Sequence, residues 1–492
     1  MELNFKDSLL TDTDRNVLII NSPAPLPQTS SELLQTSLLT PEFLHAKHST
    51  FGTSVIIANN TIGTAVMILP IVFGTCGIIT SLFVLLVIGF VQYITCNLCV
   101  IHMKENEPDL PEVIERVLGK TAKILFVISS CAFEFMAGII YLALMNNMLY
   151  PIIIFILSLC GYENYAKKSD FRFDIFSFQI NSLIFMIPCF LSCFMKNLHL
   201  IAILSKIGFY VLVSYIIFLL YILCDNFSTG VLQENIGKIV YFTTNITDVS
   251  GAFCLAFFIH NVICPLSKNI EKKEESTKAI AQSYVMTSVF YFIIAIIGYL
   301  GILGREVVEE NPQTIMDIFE RNSLFPFIIE VMYFFKLCTV YPLFCFVSRS
   351  QFLSVLPKNS KKAENSQFWV KFMYNTAYIG IAMICVVYNV NITFIMGFTG
   401  AVFGFILVYA FPIAIHLKCY GFERKMPDGK KWNVEERCEI IEKMKCNEHK
   451  DMVSNSGIKR NLFYLCGIVP VGVYLMAIQI IALFDLKWLK NE

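Results

Sequence analysis

Two apolar stretches of this chain are interrupted by residues that loosen a helix and offer polar groups to a ligand. In the first, Asn59-Asn60-Thr61-Ile62-Gly63-Thr64-Ala65 leads into Ile68-Leu69-Pro70. In the second, Asp248-Val249-Ser250-Gly251-Ala252 leads into Phe257, Phe258, Ile259, His260 and Asn261, with Pro265 beyond. Glycine weakens a helix by about 1 kcal/mol relative to alanine and proline by about 3 kcal/mol. An unpaired backbone group in lipid costs several kcal/mol, so a break at membrane depth survives only beside a wet cavity or a ligand. Taken singly, Gly63 or Gly251 fits close helix packing better than a break. Their matching positions, the adjacent Asn and Thr groups and the downstream prolines favour a pair of breaks. Two charges also fall inside apolar runs. Lys336, three residues before Thr339, lies roughly 16 Å deep at 1.5 Å per residue, and Glu134 is comparably deep. An ionised side chain there costs at least about 2.5–3.5 kcal/mol, so both are expected to pair or to face water. His260 sits inside a span as well, as a proton sensor or, twice as readily, as a hydrogen-bonded structural residue.

These groups need a membrane to hold them. Of the 492 residues 56% are hydrophobic and 15% charged, against about 25% charged for an ordinary soluble domain. The excess apolar content lies in long blocks, each near the roughly 20 residues that span about 30 Å of hydrocarbon. Eleven spans are expected, at 52–73, 78–101, 122–150, 175–195, 200–224, 246–266, 279–303, 325–347, 369–389, 392–417 and 461–485. The breaks then fall in the first and sixth spans, five apart, as an inverted five-plus-five repeat requires. Residues 1–48, rich in Ser, Thr, Pro and Asp, read as a disordered arm, and 49–492 as the membrane body. Alternating the sides places 29 of the 38 Lys and Arg residues with the arm and 8 opposite. Positive charge collects on the cytoplasmic side, so the N-terminus is expected inside and the C-terminus in the lumen or outside. Residues 418–460, with EERCEIIEKMK at 435–445, form a charged cytoplasmic loop, and sequons at Asn226 and Asn245 fall on the far side close to the membrane.

Several function classes drop out. Lys plus Arg and Asp plus Glu both number 38, which leaves no bulk charge for nucleic acid. There is no Ser-His-Asp order, HExxH, phosphate-cradling glycine loop or acidic metal cluster, so no catalytic residue, metal or cofactor is expected. The CxxC pair Cys96 and Cys99 lies in an apolar helix with no second pair, a poor metal or redox site. A channel is disfavoured because broken helices around a central site speak for occlusion.

The stretch NNTIGTAVMILPIVFGTCG at 59–77 resembles the first-helix signature of the amino acid/auxin permease family. LAFFIHN at 255–261 and TVYPLFCFVSRSQ at 339–351 are similar to its sodium-coupled neutral amino acid transporter branch, above all to lysosomal arginine transporter-sensors. The likeness runs thinly from about residue 48 to 418 and is strong in the first, sixth and eighth spans. It implies an all-α polytopic protein of the leucine-transporter type, with helices one and six broken around the substrate and a cation site between helices one and eight. By position Asn59 and Thr64 match the family's first-helix polar residues and Thr339 its eighth-helix hydroxyl. Ala65 stands where the family usually has glycine, so a less open unwound segment is expected.

On this likeness an amino acid's carboxylate would meet the N–H groups after Gly63, at Thr64 and Ala65. Carbonyls near Gly251 and Phe257, with His260 close by, would take its ammonium. Backbone carbonyls, the Asn59 amide and the Thr339 hydroxyl could hold sodium. Helices three and eight would be neighbours, so Glu134 and Lys336 are expected to pair, the ammonium at or beside the cation site. That would make transport sodium-independent or proton-driven. Tyr141, Asn146 and Asn147 could line the path. The leading reading is a secondary amino acid transporter, a symporter of a vacuolar or lysosomal membrane or of the plasma membrane. The alternative is a sensor that exposes the 1–48 arm to a cytosolic partner. Neither the amino acid nor the coupling ion is legible.

Overall fold

The computed structural model describes residues 49–423 and 464–484, apart from short stretches of which 306–311, 320–323 and 356–362 are the longest. The 1–48 arm, residues 435–445 and most of the 418–460 loop, and Asn245 therefore lie outside the described residues.

Helix α1 (Thr50–Thr61) begins where the Ser49 side chain accepts the N–H of Gly52 at 3.2 Å, an N-cap. It stops at Ile62; after Gly63 a 3₁₀ turn (Thr64–Met67) leads into α2 (Leu69–Cys76). Gly77, at φ +82°, turns the chain into α3 (Ile78–Ile101). A side chain at Gly77 would start 3.0 Å from the backbone of Tyr241 and Phe242. That segment caps α3, because Ile78 and Ile79 donate to the carbonyls of Val240 and Tyr241. The short α4 (Leu110–Leu118) buries Leu110, Val113, Ile114 and Val117, one helical face, against its neighbours. The third predicted span is longer than expected: α5 runs Lys120–Leu159, 40 residues, straight through Pro151. Then come α6 (Phe178–Ser192) and α7 (Leu198–Ser228).

The sixth span is two helices, α8 (Thr247–Ala256) and α9 (His260–Lys268). Helices α10 (Ser276–Ile302), α11 (Leu324–Val355) and α12 (Ala363–Val387) follow. The tenth is α13 (Ile392–Phe398), widening into π-helix over Thr399–Phe403 and Phe405–Ala410 before α14 (Phe411–Glu423). The last is α15 (Val469–Phe484), entered through a π turn at Tyr464–Ile468. Helix thus occupies every range that hydropathy marked out. Among the described residues eight helices are long and apolar enough to cross a membrane, with Phe178–Ser192 and Tyr464–Ile478 shorter. The protein is a multi-pass, all-α membrane protein.

Two groups of helices face each other. α10 packs on α1, α2 and α3, and α8 packs on α2 and α3; α11 and α12 pack on α5, and α12 on α6. α7 touches both α10 and α11, and α13 touches α8 and α5. Ion pairs hold the ends. Lys168 meets Asp317 at 2.7 Å with both side chains 7% exposed, and Arg305 meets Asp225 at 2.6 Å. Near the other end Arg116 pairs with Glu107, and the Thr50 hydroxyl bonds to Glu275. Asn226 is buried and its amide donates to the carbonyls of Leu300 and Leu303 at 2.9 and 3.0 Å, so that sequon serves packing.

Candidate substrate site

The first break lies where the sequence placed it. Ile62 is extended (φ −73°, ψ 97°) and Gly63 leaves helical geometry altogether (φ −107°, ψ −141°). The second lies six residues beyond Gly251, at Phe257, Phe258 and Ile259, between the last residue of α8 and His260. Gly251 is buried mid-helix, and its carbonyl oxygen would lie 2.8 Å from a Cβ on Gly400. At Gly251 close packing is therefore the outcome, and its carbonyl faces helix ten rather than a ligand.

A helix end leaves its last carbonyls without intrahelical partners. Tyrosines supply many of the missing donors here. The Tyr291 hydroxyl lies 3.0 Å from both the Thr61 and the Ala256 carbonyl. Tyr284 donates to Phe257 at 3.2 Å and Tyr215 to Val66 at 3.1 Å. The Phe257 carbonyl expected to take a ligand's ammonium is thus already engaged, and its ring stacks on Tyr284 at 5.9 Å and 15°.

Between the breaks and the α5–α11 pair lies a cavity of about 260 Å³. It is lined by Asn59 to Ala65, by Phe133, Glu134 and Tyr141 of α5, and by Phe258 and Asn261 at the second break. From α11 come Tyr333, Lys336, Thr339 and Phe344. The Tyr141 hydroxyl is 3.7 Å from where a Gly63 side chain would begin, so the break sits against a donor. Phe133 and Phe258 lie 3.9 Å apart between centroids, inclined at 35°, and form an apolar wall. Asn59 and Asn60, on the α1 side of the break, are exposed, while Val66 to Leu69 beyond it are fully buried.

Of the residues singled out from sequence, Asn59, Gly63, Thr64, Ala65, Glu134, Lys336 and Thr339 all line this cavity, as does Tyr141. Gly251, Phe257 and His260 do not. His260 is fully buried and its Nε2 is 3.0 Å from the Thr95 hydroxyl of α3, the structural alternative. Asn146 is tied to Asn181 and Ser182 of α6 at 2.8 Å, away from the cavity. Asn261, part of the LAFFIHN motif but unassigned from sequence, is central: its amide donates to Glu134 at 3.1 Å and to Ser130 at 2.9 Å.

Glu134 and Lys336 do not pair; among the described residues no ion pair within 4.0 Å includes either. The reason is register. α5 and α11 run antiparallel, with Cys131 bonded to the Ser348 carbonyl and Phe155 stacked on Phe327 at 4.3 Å. That register sets Lys336 level with residue 144, ten residues or roughly 15 Å from Glu134 at 1.5 Å per residue. The Lys336 ammonium instead stands 5.0 Å over the Tyr333 ring. Thr339 donates its hydroxyl to the Lys336 carbonyl at 2.7 Å. The cavity therefore carries a carboxylate with its amide at one end and an ammonium at the other. Among the described residues no group of three or more His, Cys, Asp and Glu is arranged to hold a metal.

Residues 46–435 match the family model described as "Transmembrane amino acid transporter protein". "Neutral amino acid transporter 9" of Danio rerio is 27% identical over 180 residues, 36% of this chain and 32% of that protein. "Sodium-coupled neutral amino acid transporter 9 homolog" of Caenorhabditis elegans is 22% identical over 172 residues, 35% of this chain and 27% of that one. The alignable stretch spans about a third of the length of these curated relatives. Among solved structures, MhsT in complex with L-phenylalanine aligns over 88% of this chain and 99% of its own, with a TM-score of 0.51 at 11% identity. That likeness concerns the fold alone, and the fold is of the leucine-transporter type, with helices one and six broken.

Proposed function

Because the chain belongs to the transmembrane amino acid transporter family, we propose that it moves amino acids across a membrane by alternating access, the substrate lying between its two helix breaks. The observation that carries this reading is the cavity itself, bounded by Gly63–Ala65 on one side and Phe258–Asn261 on the other. A zwitterion suits it. The start of a half-helix presents N–H groups that favour a carboxylate at Thr64 and Ala65, and the Tyr141 hydroxyl stands beside them. The Phe133–Phe258 wall offers an apolar side chain a surface. The two facing helix groups supply the bodies that rock about the site. With eleven crossings and the arm cytoplasmic, α1 enters from the cytosolic side of a vacuolar, lysosomal or plasma membrane.

The coupling ion follows from Lys336. Its ammonium, over the Tyr333 ring in the same cavity that Thr339 lines, supplies fixed positive charge near where the family's cation site is expected between helices one and eight, and sodium becomes unnecessary. Glu134, a cavity carboxylate held by the neutral Asn261, is the group able to carry a proton. Uptake into proteoliposomes across a panel of proteinogenic amino acids, with sodium and pH gradients imposed separately, tests both parts. The expected result is uptake of some members, indifferent to sodium and driven by an inward proton gradient. No uptake of any member defeats the transporter reading. Uptake by Lys336→Ala protein that stays indifferent to sodium, with unchanged pH dependence, defeats the coupling.

A further inference from the structure

We infer that Tyr291 is a positioning residue that ties the two helix breaks together and holds them in the arrangement that binds substrate. Thr61 is the last residue of α1 and Ala256 the last of α8, so both carbonyls belong to the orphaned acceptors of a helix end. One phenol on a third helix, α10, meets both at 3.0 Å. A phenol carries one hydrogen, so the two acceptors share it. If either half-helix swings away, its own end carbonyl loses that donor while the phenol stays with the other, so both breaks are held to the same point on α10. The other tyrosines behave differently. Tyr284, seven residues earlier on the same face of α10, caps only Phe257, and Tyr215 caps only Val66. Tyr291 alone among these spans both.

The ring is fixed independently of the hydroxyl. It meets Phe257 edge-on at 5.4 Å and 74° and lies 6.5 Å from Phe253, and the residue is wholly buried. Phenylalanine keeps those contacts, so Tyr291→Phe removes the tie while leaving the packing. The first half of helix one has a second anchor on α10, where Ser54 donates to Gln282 at 2.9 Å. α10 thus carries both the outer end of α1 and its break, and through Tyr291 it carries the break in helix six as well.

The test has one arm that requires no substrate and one that rests on the transport reading. Hydrogen–deuterium exchange of the full chain in lipid nanodiscs follows peptides covering 57–66 and 253–262, with 143–150 of α5 as reference. Tyr291→Phe is expected to raise exchange in both break peptides by about threefold or more, the scale of one lost hydrogen bond. The reference should stay unchanged. Tyr284→Phe should raise exchange only in 253–262. No change in 57–66 for Tyr291→Phe, or a uniform rise that includes the reference, overturns the inference. In proteoliposomes with tritiated L-leucine, L-glutamine and L-arginine as probes, KM for the transported probe should rise about three- to tenfold, with maximal rate within about twofold. An unchanged KM beside raised exchange overturns the link to binding. A wild-type protein that takes up none of the three counts against the transport reading, and the exchange arm then decides Tyr291 alone.

Discussion

Gly400→Ala and Gly404→Ala, four residues apart on the π-helical stretch of helix ten, should change stability in opposite directions. A Cβ on Gly400 would start 2.8 Å from the Gly251 carbonyl oxygen, 2.8 Å from the Cys254 Cβ and 3.0 Å from the Leu255 nitrogen. Two of those atoms are backbone of α8, whose position is set by α2 and α3 behind it, so they cannot turn aside as a side chain would. Overpacking of this kind costs about 1–3 kcal/mol, roughly a 5- to 150-fold change in an unfolding equilibrium. A Cβ on Gly404, by contrast, meets nothing within 4 Å, and Gly404 has φ −60°, which alanine adopts freely. There the substitution removes backbone entropy from the unfolded chain and should stabilise by about 0.5–1 kcal/mol. For a chain of this length about 1 kcal/mol moves the midpoint by some 1–2 °C. The expected outcome is a thermal midpoint lowered by about 1–6 °C for Gly400→Ala and unchanged or raised slightly for Gly404→Ala. Intrinsic fluorescence of detergent-purified protein measures both. Equal shifts in one direction would refute the close approach of helices six and ten, and with it the account of Gly251 as a packing residue.

Glu134→Gln, which keeps an acceptor for the Asn261 amide, should leave uptake measurable but flatten its dependence on pH between acidic and neutral; an unaltered pH profile speaks against Glu134 as the proton carrier. Lys168→Met should lower stability, by at most about 3–5 kcal/mol, because it takes the ion-pair partner from the buried Asp317 carboxylate and leaves it only neutral donors such as the Thr314 N–H. Adding Asp317→Asn, which still accepts from the Thr314 N–H, should recover more than half of that loss in thermal unfolding. On the surface between α4 and α5, the hydrogen bond from Lys123 holds the Glu115 carboxyl below its usual range. A depressed folded pKa means a contribution present above the unfolded carboxylate range, about pH 4, and lost as pH falls through the folded value. The stability difference between wild type and Glu115→Gln should therefore be visible at neutral pH and vanish in acid.

Hydropathy was enough to place the helices, though not their ends, because each crossing needs an apolar block of roughly 20 residues while a helix can run on beyond the bilayer, as α5 does for 40 residues. The first break was legible for a local reason: Asn59, Asn60, Thr61 and Gly63 all weaken the helix they sit in. The sixth lies six residues past Gly251, because glycine is not what breaks that helix. What interrupts that helix is aromatic. Phe257 and Phe258 are drawn out of line by partners on other helices, Tyr284 stacking on the first and Phe133 lying against the second, and the freed carbonyls are met by Tyr284 and Tyr291. The recoverable signal was in the seventh span, where two tyrosines seven residues apart share a face with Thr287 and Ser288. A hydroxyl-rich face on a membrane helix must find acceptors, and helix breaks are where acceptors are free.

The Glu134–Lys336 expectation failed for a different reason, and the failure explains what the cavity is. Depth counted from the end of a span compares two helices only when both spans begin at the membrane surface. α5 continues nine residues past its expected end and α11 eight past its own. Once the antiparallel register is fixed by Cys131 against Ser348, equal counts become levels roughly 15 Å apart. Over such a distance, at the effective dielectric near 20 of protein sites, two opposite charges gain only about 1 kcal/mol from each other, and neither can offset the cost of holding the other at that depth. Each must instead be met locally, Glu134 by the Asn261 amide and Lys336 by the Tyr333 ring, and both by whatever fills the cavity they line. Two charges that neither pair nor reach the lipid face are stable only at the ends of a wet space. The cavity between the breaks is the space that lets them remain there.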